Sequence, residues 1–469
     1  MHIKLYSNYK DSKQEFHLHS KESWEQAKNK FPKQIHSFFS AQKNEFFIHI
    51  TSEKTIFLLG TSDLKNTADF QGLGNLFSTQ YRKNFAAEST SICSFNHSVE
   101  EVEEFITGLF LGTYNYPFKE DHPFWDNNFE LHAEKIKSNS KLSNEVLALC
   151  KGQFAAMDWL NKPANFKKTH HISEFLQSVA STYNFSYKAF NKTECEELGL
   201  NAFLAVNQGS SMDCAFTIIE YKSSSKDAKT VGLIGKCVLF DTGGISIKPS
   251  DNMHYMKSDM GGATAVIGTL IAAAELNLPI NITAILPITD NAVSASAYLP
   301  SDVIKAYNGK TIEVLNTDAE GRMTLADALS YHTSNFQTDV LIDLATLTGS
   351  SVRMFGDTCA TLFSNNESLI SELTKSGNLT NQKLWNMPMW DVWKDDFISD
   401  VADFKNISSK PFGDCIIAAK FLEQFIGTHP NWAHLDIAGV AFGKVNYSKE
   451  KAATGYGVQL LLNYIKNFS

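Results

Sequence analysis

The chain has 469 residues, 43% hydrophobic and 20% charged, a composition that buries a large core and excludes a disordered or low-complexity polymer. Its 42 lysines and arginines face 51 aspartates and glutamates, a net charge of −9, which makes nucleic acid an unfavoured partner because phosphate binding needs a concentrated cationic face. No run reaches the roughly 20 apolar residues of a membrane span, and the opening MHIKLYSNYKDSKQEFHLHS has no apolar signal-like stretch.

These features predict a cytoplasmic protein with no membrane partner. The seven cysteines, at 93, 150, 195, 214, 237, 359 and 415, are odd in number and far apart with no CxxC pair. That spacing predicts reduced thiols in small buried sites, not a disulfide framework or a structural zinc knot. Only three arginines occur, Arg82, Arg322 and Arg353. Where lysine serves elsewhere, a retained guanidinium suits a task that needs a planar fork of donors.

In chain order, the first 150 residues mix short apolar stretches (EFFIHI, TIFLLG) with Lys- and Asn-rich connectors. A helix is predicted from Ser98 to Leu111, where Glu100, Glu101, Glu103 and Glu104 form a solvated face that suits the positive end of the helix dipole. An aromatic connector over 113–127 and a helix around 142–160 lead to NKPAN at 161–165. The prediction is a smaller N-terminal α/β domain over 1–155 and a larger domain over 156–469.

The larger domain alternates strand and helix. Strands are predicted at VGLIGKCVLFD (231–241), NITAILPIT (281–289), TIEVLN (311–316), DVLIDLATLTG (339–349) and WAHLDIAG (432–439), with helices at MGGATAVIGTLIAAAEL (260–276) and TLADALSYHT (324–333). The class is α/β, a mostly parallel central sheet flanked by helices. In such sheets working residues collect beyond the carboxyl ends of the strands.

Two segments place polar residues there in unusual density. GKCVLFDTGGISIKPSDNMHYMKSDMGGA (235–263) carries Lys236, Asp241, Lys248 and Asp259, and NTDAEGRMTLADAL (316–329) carries Asp318, Glu320 and Arg322. Carboxylates in a water-poor pocket need positive charge, and metal ions are its strongest source. Two divalent ions about 3.5 Å apart repel by roughly 19 kcal/mol at an effective dielectric of 20, so carboxylates must lie between and around them. Asp241, Asp259, Asp318 and Glu320 balance that charge. Residue types alone leave three readings open: a metal hydrolase, Mg-dependent phosphate chemistry at the Gly-Gly turns, or structural turns with surface acids.

The two segments resemble the leucine aminopeptidase, or cytosol aminopeptidase, family of dinuclear metallopeptidases, with NTDAEGR the most telling match. The resemblance extends through NKPAN, the FDTGG strand end, MHYMKSDMGGA, ATLTG (345–349), LWNMPMWD (384–391), SDVADFKN (399–406), AHLDIAG (433–439) and ATGYGV (453–458). It covers about 160–469, and the first 150 residues match loosely.

The resemblance implies that Lys236, Asp241, Asp259, Asp318 and Glu320 hold two divalent ions, Zn²⁺ and/or Mn²⁺, with Lys236 ligating as a neutral amine. It also implies that Lys248 stabilises an oxyanion and that Arg322 holds a bicarbonate acting as proton shuttle. Met256, Thr346 and Ala438 line the side-chain pocket, and backbone groups near Leu347 and Gly349 position the substrate. The activity implied is removal of an N-terminal residue, leucine or another apolar one, from peptides by a metal-bridging water or hydroxide, in a homohexamer. The alternatives are a dipeptidase-like member, for Cys-Gly for example, or a DNA-binding regulatory relative. Cys237, Thr242, His254 and the pair Met323-Thr324 depart from the family pattern without removing a ligand.

Overall fold

A computed structural model describes residues 2–8, 10–81, 89–116, 128–136 and 139–468. Arg82 and residues 117–127 of the aromatic connector lie outside them. Contacts divide the chain into two compact units, Met1–Cys150 with Asn446–Lys449, and Lys151–Val445 with Glu450–Ser469. The division falls inside the helix Asn139–Asn161.

The first unit holds a six-stranded sheet in the spatial order His2–Tyr6, Asn128–Ala133, Ser89–Cys93, Gln14–His19, Thr55–Gly60, Phe46–Ile50. Only the last pair is antiparallel. Strand alternation puts Phe16 and Leu18 on one face, both fully buried. Phe16 packs against Phe57, Phe77 and Phe105 at ring-centroid distances of 5.0, 5.1 and 5.8 Å. The helix Val99–Leu111 starts on a capping box between Ser98 and Glu101. Glu100 in its acidic run is exposed, while Glu104 accepts a hydrogen bond from Gln71.

The second unit is built on a sheet whose central strands Trp432–Asp436, Val340–Ala345, Thr230–Gly235 and Asn281–Asn291 run parallel in that spatial order. Ala360–Ser364 and Leu384–Asn386 extend one side, and Ala215–Tyr221 and Ser186–Phe190 the other. Ala360–Ser364 and Ala215–Tyr221 pair antiparallel to the central group. None of these flanking strands was predicted as a strand, although Leu384–Asn386 lies within the LWNMPMWD stretch.

The stretch expected as one strand over 231–241 is two, Thr230–Gly235 and Cys237–Asp241, broken at Lys236. The Lys236 amide still donates to the Leu344 carbonyl, but its own carbonyl accepts from the Ala263 amide at 3.0 Å, in the first turn of the helix Gly261–Glu275. A helix start thus takes the place of a strand partner. A Cβ on Gly262 would lie 1.9 Å from the Leu344 carbonyl oxygen, so only glycine lets the helix come this close.

TIEVLN also differs from expectation. Only Thr311–Glu313 is a strand, in a separate three-stranded sheet with Val303–Lys305 and Phe404–Lys405. The Leu315 amide then donates to the Asn406 side chain at 2.8 Å, so a side chain replaces the ladder and turns the chain. The helix expected at 324–333 spans Glu320–Asn335. Its N-cap, Ala319, makes no side-chain cap hydrogen bond, so the usual signal of a helix start is missing. The last two predicted strands stop at Ala345 and Asp436, leaving 346–348 and 437–439 as turns at the carboxyl edge of the sheet, with Gly349 opening the helix Gly349–Phe355.

Candidate active site

Those turns and breaks surround a cavity of about 340 Å³ within the second unit. All twelve residues singled out from sequence line it. Lys236 enters at the break in its strand, and Asp241 ends the following strand. Asp259 follows the short turn Met253–Ser258. Glu320 and Arg322 lie on the first turn of their helix, and Asp318 precedes it. Thr346, Leu347 and Gly349 follow one central strand and Ala438 another.

The carboxylates sit closer together than charge alone permits. Asp241, Asp259 and Glu320 are buried, and one ligand atom from each lies within 4.8 Å of the others. Lys236 is 2% exposed, with its Nζ 2.7 Å from Asp259 Oδ2, 2.8 Å from Glu320 Oε1 and 3.0 Å from the Thr346 carbonyl. Lys248 Nζ lies 2.8 Å from Asp241 Oδ2 and also pairs with Asp318. Four carboxylates therefore face two ammonium groups.

The titration of these groups records the imbalance. Burial, then repulsion from Glu320, pushes the Asp241 carboxyl up to about 7 against the pull of Lys248 and Lys236. Burial raises Asp259 well above, and Asp318 above, the ordinary carboxylate range. Burial disfavours the Lys236 ammonium, yet Asp259, Glu320 and Asp241 together hold its pKa above that of an ordinary lysine. Facing carboxylates, Lys236 keeps its proton. Glu320 Oε2 is buried with no hydrogen-bond partner among the described residues. A buried anionic acceptor with nothing to bind is what a cation site leaves, so the donor set fits divalent metal.

Of the residues that hold this arrangement, Asn291, Asp436, Asn406 and Asp414 were missed by sequence reading. Asn291 Nδ2 donates to Asp241 Oδ1 at 2.8 Å and to the Thr317 carbonyl at 3.0 Å. Thr346 Oγ1 donates to Asp259 Oδ1 at 2.8 Å. Asp436 Oδ1 accepts from the Leu347 and Ala438 amides at 3.2 and 3.1 Å, tying both turns together. Arg322 donates to the Asn406 carbonyl at 2.8 Å and to Asp414 Oδ1 at 3.1 Å. Asp414 lies 92 residues further along the chain, and its own neighbours give no sign of the pairing.

The departures from the family pattern lie around this centre. Cys237 is fully buried and does not line the cavity. His254 is exposed and lies against Tyr255, with ring centroids 3.9 Å apart. Of the described arginines, Arg322 is buried and Arg353 exposed.

Residues 154–462 match the catalytic domain of the cytosol aminopeptidase family. The chain belongs to that family. A "Probable cytosol aminopeptidase" of Chlorobium phaeobacteroides is 37% identical over 462 residues, 92% of this chain and 91% of the relative. One from Rickettsia massiliae is 41% identical over 371 residues, 77% of this chain and 74% of the relative. One from Chlorobium limicola is 46% identical over 317 residues, 68% of this chain but only 63% of the relative's length. Among solved structures, the bottromycin maturation enzyme BotP in complex with Mn superposes with a TM-score of 0.86 at 26% identity, covering 97% of this chain and 99% of that one. Membership of the cytosol aminopeptidase family places the chain among metal-dependent peptidases, which are hydrolases. Among the described residues no helix is long and apolar enough to cross a membrane.

Proposed function

We propose that this chain is a metal-dependent aminopeptidase that removes single residues, leucine or another apolar one, from the N-termini of peptides in the cytoplasm. The observation that carries this reading is the buried triplet Asp241, Asp259 and Glu320, within 4.8 Å of one another beside Lys236. With Asp318 these residues would hold two divalent ions. Mn²⁺ and Zn²⁺ both suit such a donor set, and the Mn complex of BotP supports the former. Bound ions supply a water of lowered pKa and polarise the scissile carbonyl.

The rest of the chemistry belongs to the chain. To serve as a ligand, Lys236 gives up its proton, a depression of more than about three units from 10.4 that costs roughly 4 to 5 kcal/mol and that ion charge offsets. Lys248, paired with Asp241 and Asp318, would present its ammonium to the oxyanion forming on the substrate if those carboxylates held the ions instead. The Leu347 amide is taken by Asp436, which leaves its carbonyl to accept from the substrate backbone. Met256, Thr346 and Ala438 line the cavity and receive the first side chain. Arg322 anchors the carrier, bicarbonate in this reading, that moves the water proton to the leaving amine. Residues 1–155 serve assembly, as a homohexamer.

The test is elemental analysis combined with leucyl-anilide turnover of the wild-type chain and of Asp318→Asn. At least two ions per chain in the wild type, chelator-sensitive turnover, and loss of both an ion and activity in Asp318→Asn are expected. One ion or fewer in the wild type, or undiminished turnover in the variant, refutes the dinuclear assignment.

A further inference from the structure

The sheet of the first unit carries a separate set of ligand-type side chains. Gln14–His19 pairs in parallel with Ser89–Cys93 in a register that puts His17 opposite Cys93. Since Phe16 and Leu18 fill the core on one face, alternation sends Glu15 and His17 to the other. Glu15 Oε2 lies 2.9 Å from His17 Nε2, and ligand atoms of Glu15, His17 and Cys93 all lie within 4.8 Å of one another.

The surroundings hold these groups in place. Glu15 is 2% exposed, and Lys54 Nζ holds its other oxygen at 2.8 Å, leaving Oε2 turned towards His17. Phe31 and Phe95 flank the imidazole at ring-centroid distances of 5.8 and 5.9 Å. His17 Nδ1 is buried with no hydrogen-bond partner among the described residues. An imidazole, a thiol and a carboxylate are the donor types that borderline divalent ions select, and here adjacent paired strands present them, a more rigid support than a loop.

We propose that Glu15, His17 and Cys93 form a binding site for a borderline divalent cation of the Zn²⁺ type, which pins these two strands together. On binding, the Cys93 S–H bond breaks, the proton goes to water and the sulfur electron pair bonds the ion. Glu15 Oε2 and an imidazole nitrogen of His17 supply the other protein ligands. The carboxylate and thiolate charges cancel the ion's two positive charges, and water takes the fourth position on the partly exposed side.

The test uses the full chain, stripped with chelator and reloaded with Co²⁺ as a spectroscopic stand-in for Zn²⁺. No cysteine lines the aminopeptidase cavity, so a near-ultraviolet thiolate-to-cobalt charge-transfer band does not arise from ions held there, whatever becomes of the aminopeptidase reading, and its loss in Cys93→Ser assigns it to Cys93. The wild type is expected to show the band and to bind one ion more per chain than Cys93→Ser, which loses the band. His17→Gln, which keeps the thiol, is expected to weaken the band without changing the Tm of the stripped chain. A wild type without the band, a band that survives in Cys93→Ser, or one unchanged in His17→Gln overturns the site.

Discussion

Ser246 and Thr317 exchange hydrogen bonds. The Ser246 amide donates to Thr317 Oγ1 at 2.8 Å, and the Thr317 amide donates to Ser246 Oγ at 3.1 Å. The same Thr317 hydroxyl donates to the Gly243 carbonyl at 2.6 Å. One fully buried threonine thereby fastens the turn after Asp241 to the turn that carries Asp318, although 71 residues separate them in the chain.

Thr317→Val keeps the shape and removes both side-chain bonds, leaving the Ser246 amide and Gly243 carbonyl short of a partner. The expected cost is about 2 to 4 kcal/mol of stability, with weaker metal binding because Asp241 and Asp318 lose their common anchor. Denaturant melts and metal titration check this. A variant as stable as the wild type would show that water replaces the hydroxyl.

Gly321→Ala separates metal affinity from folding. A Cβ at Gly321 would lie 2.5 Å from Lys236 Cε and 2.7 Å from its Nζ, so the flexible end of that side chain must give way. Alanine also suits a helix better than glycine. The expectation is at least about tenfold weaker metal affinity, the scale of outer-contact effects on metal sites, with little change in Tm. Affinity equal to wild type would remove Lys236 from the ligand set.

Asp436 supports the substrate turns without lining the cavity. Beyond the Leu347 and Ala438 amides, its Oδ2 accepts from Thr348 Oγ1 at 2.5 Å. Asp436→Asn puts an NH₂ where one of these donors sits, so the turns must shift. A rise in KM that exceeds the fall in kcat is expected, with metal content unchanged. Equal loss in every substrate with KM constant would point to the metal centre instead.

His332 sets an acid limit on stability. It is fully buried, with both ring nitrogens lacking hydrogen-bond partners among the described residues, and burial pushes its pKa down to about 3. The folded chain thus binds this proton less readily than the unfolded chain, whose histidine titrates near 6.5. Stability is complete above about 6.5 and falls below it, by about 2 kcal/mol at pH 5. His332→Leu is expected to lose less Tm than the wild type between about pH 7.5 and pH 5. Parallel losses in the two proteins would assign the acid limit to other groups.

Particular elements show where sequence reading stops. Lys236 was legible as a site residue, but not the strand break that aims it, because VGLIGKCVLFD is apolar enough to read as one strand. Glu320 and Arg322 were legible through their motif while the start of their helix was not, since Ala319 gives no capping signal. Arg322 stood out through scarcity. Its partners Asn406 and Asp414, 84 and 92 residues away, left no local pattern.

The sequence by itself determined the chemistry. Residue type decides which atoms can donate to a metal or carry charge, and the alternation of strand and helix decides that such residues gather at one edge of a sheet. Tertiary structure alone decided the distances. How close four carboxylates come, which oxygen of Glu320 lacks a partner and which turns Asp436 ties down depend on contacts between residues far apart in the chain. No local pattern encodes them, because the folded core pays for holding like charges together through packing spread over the whole unit.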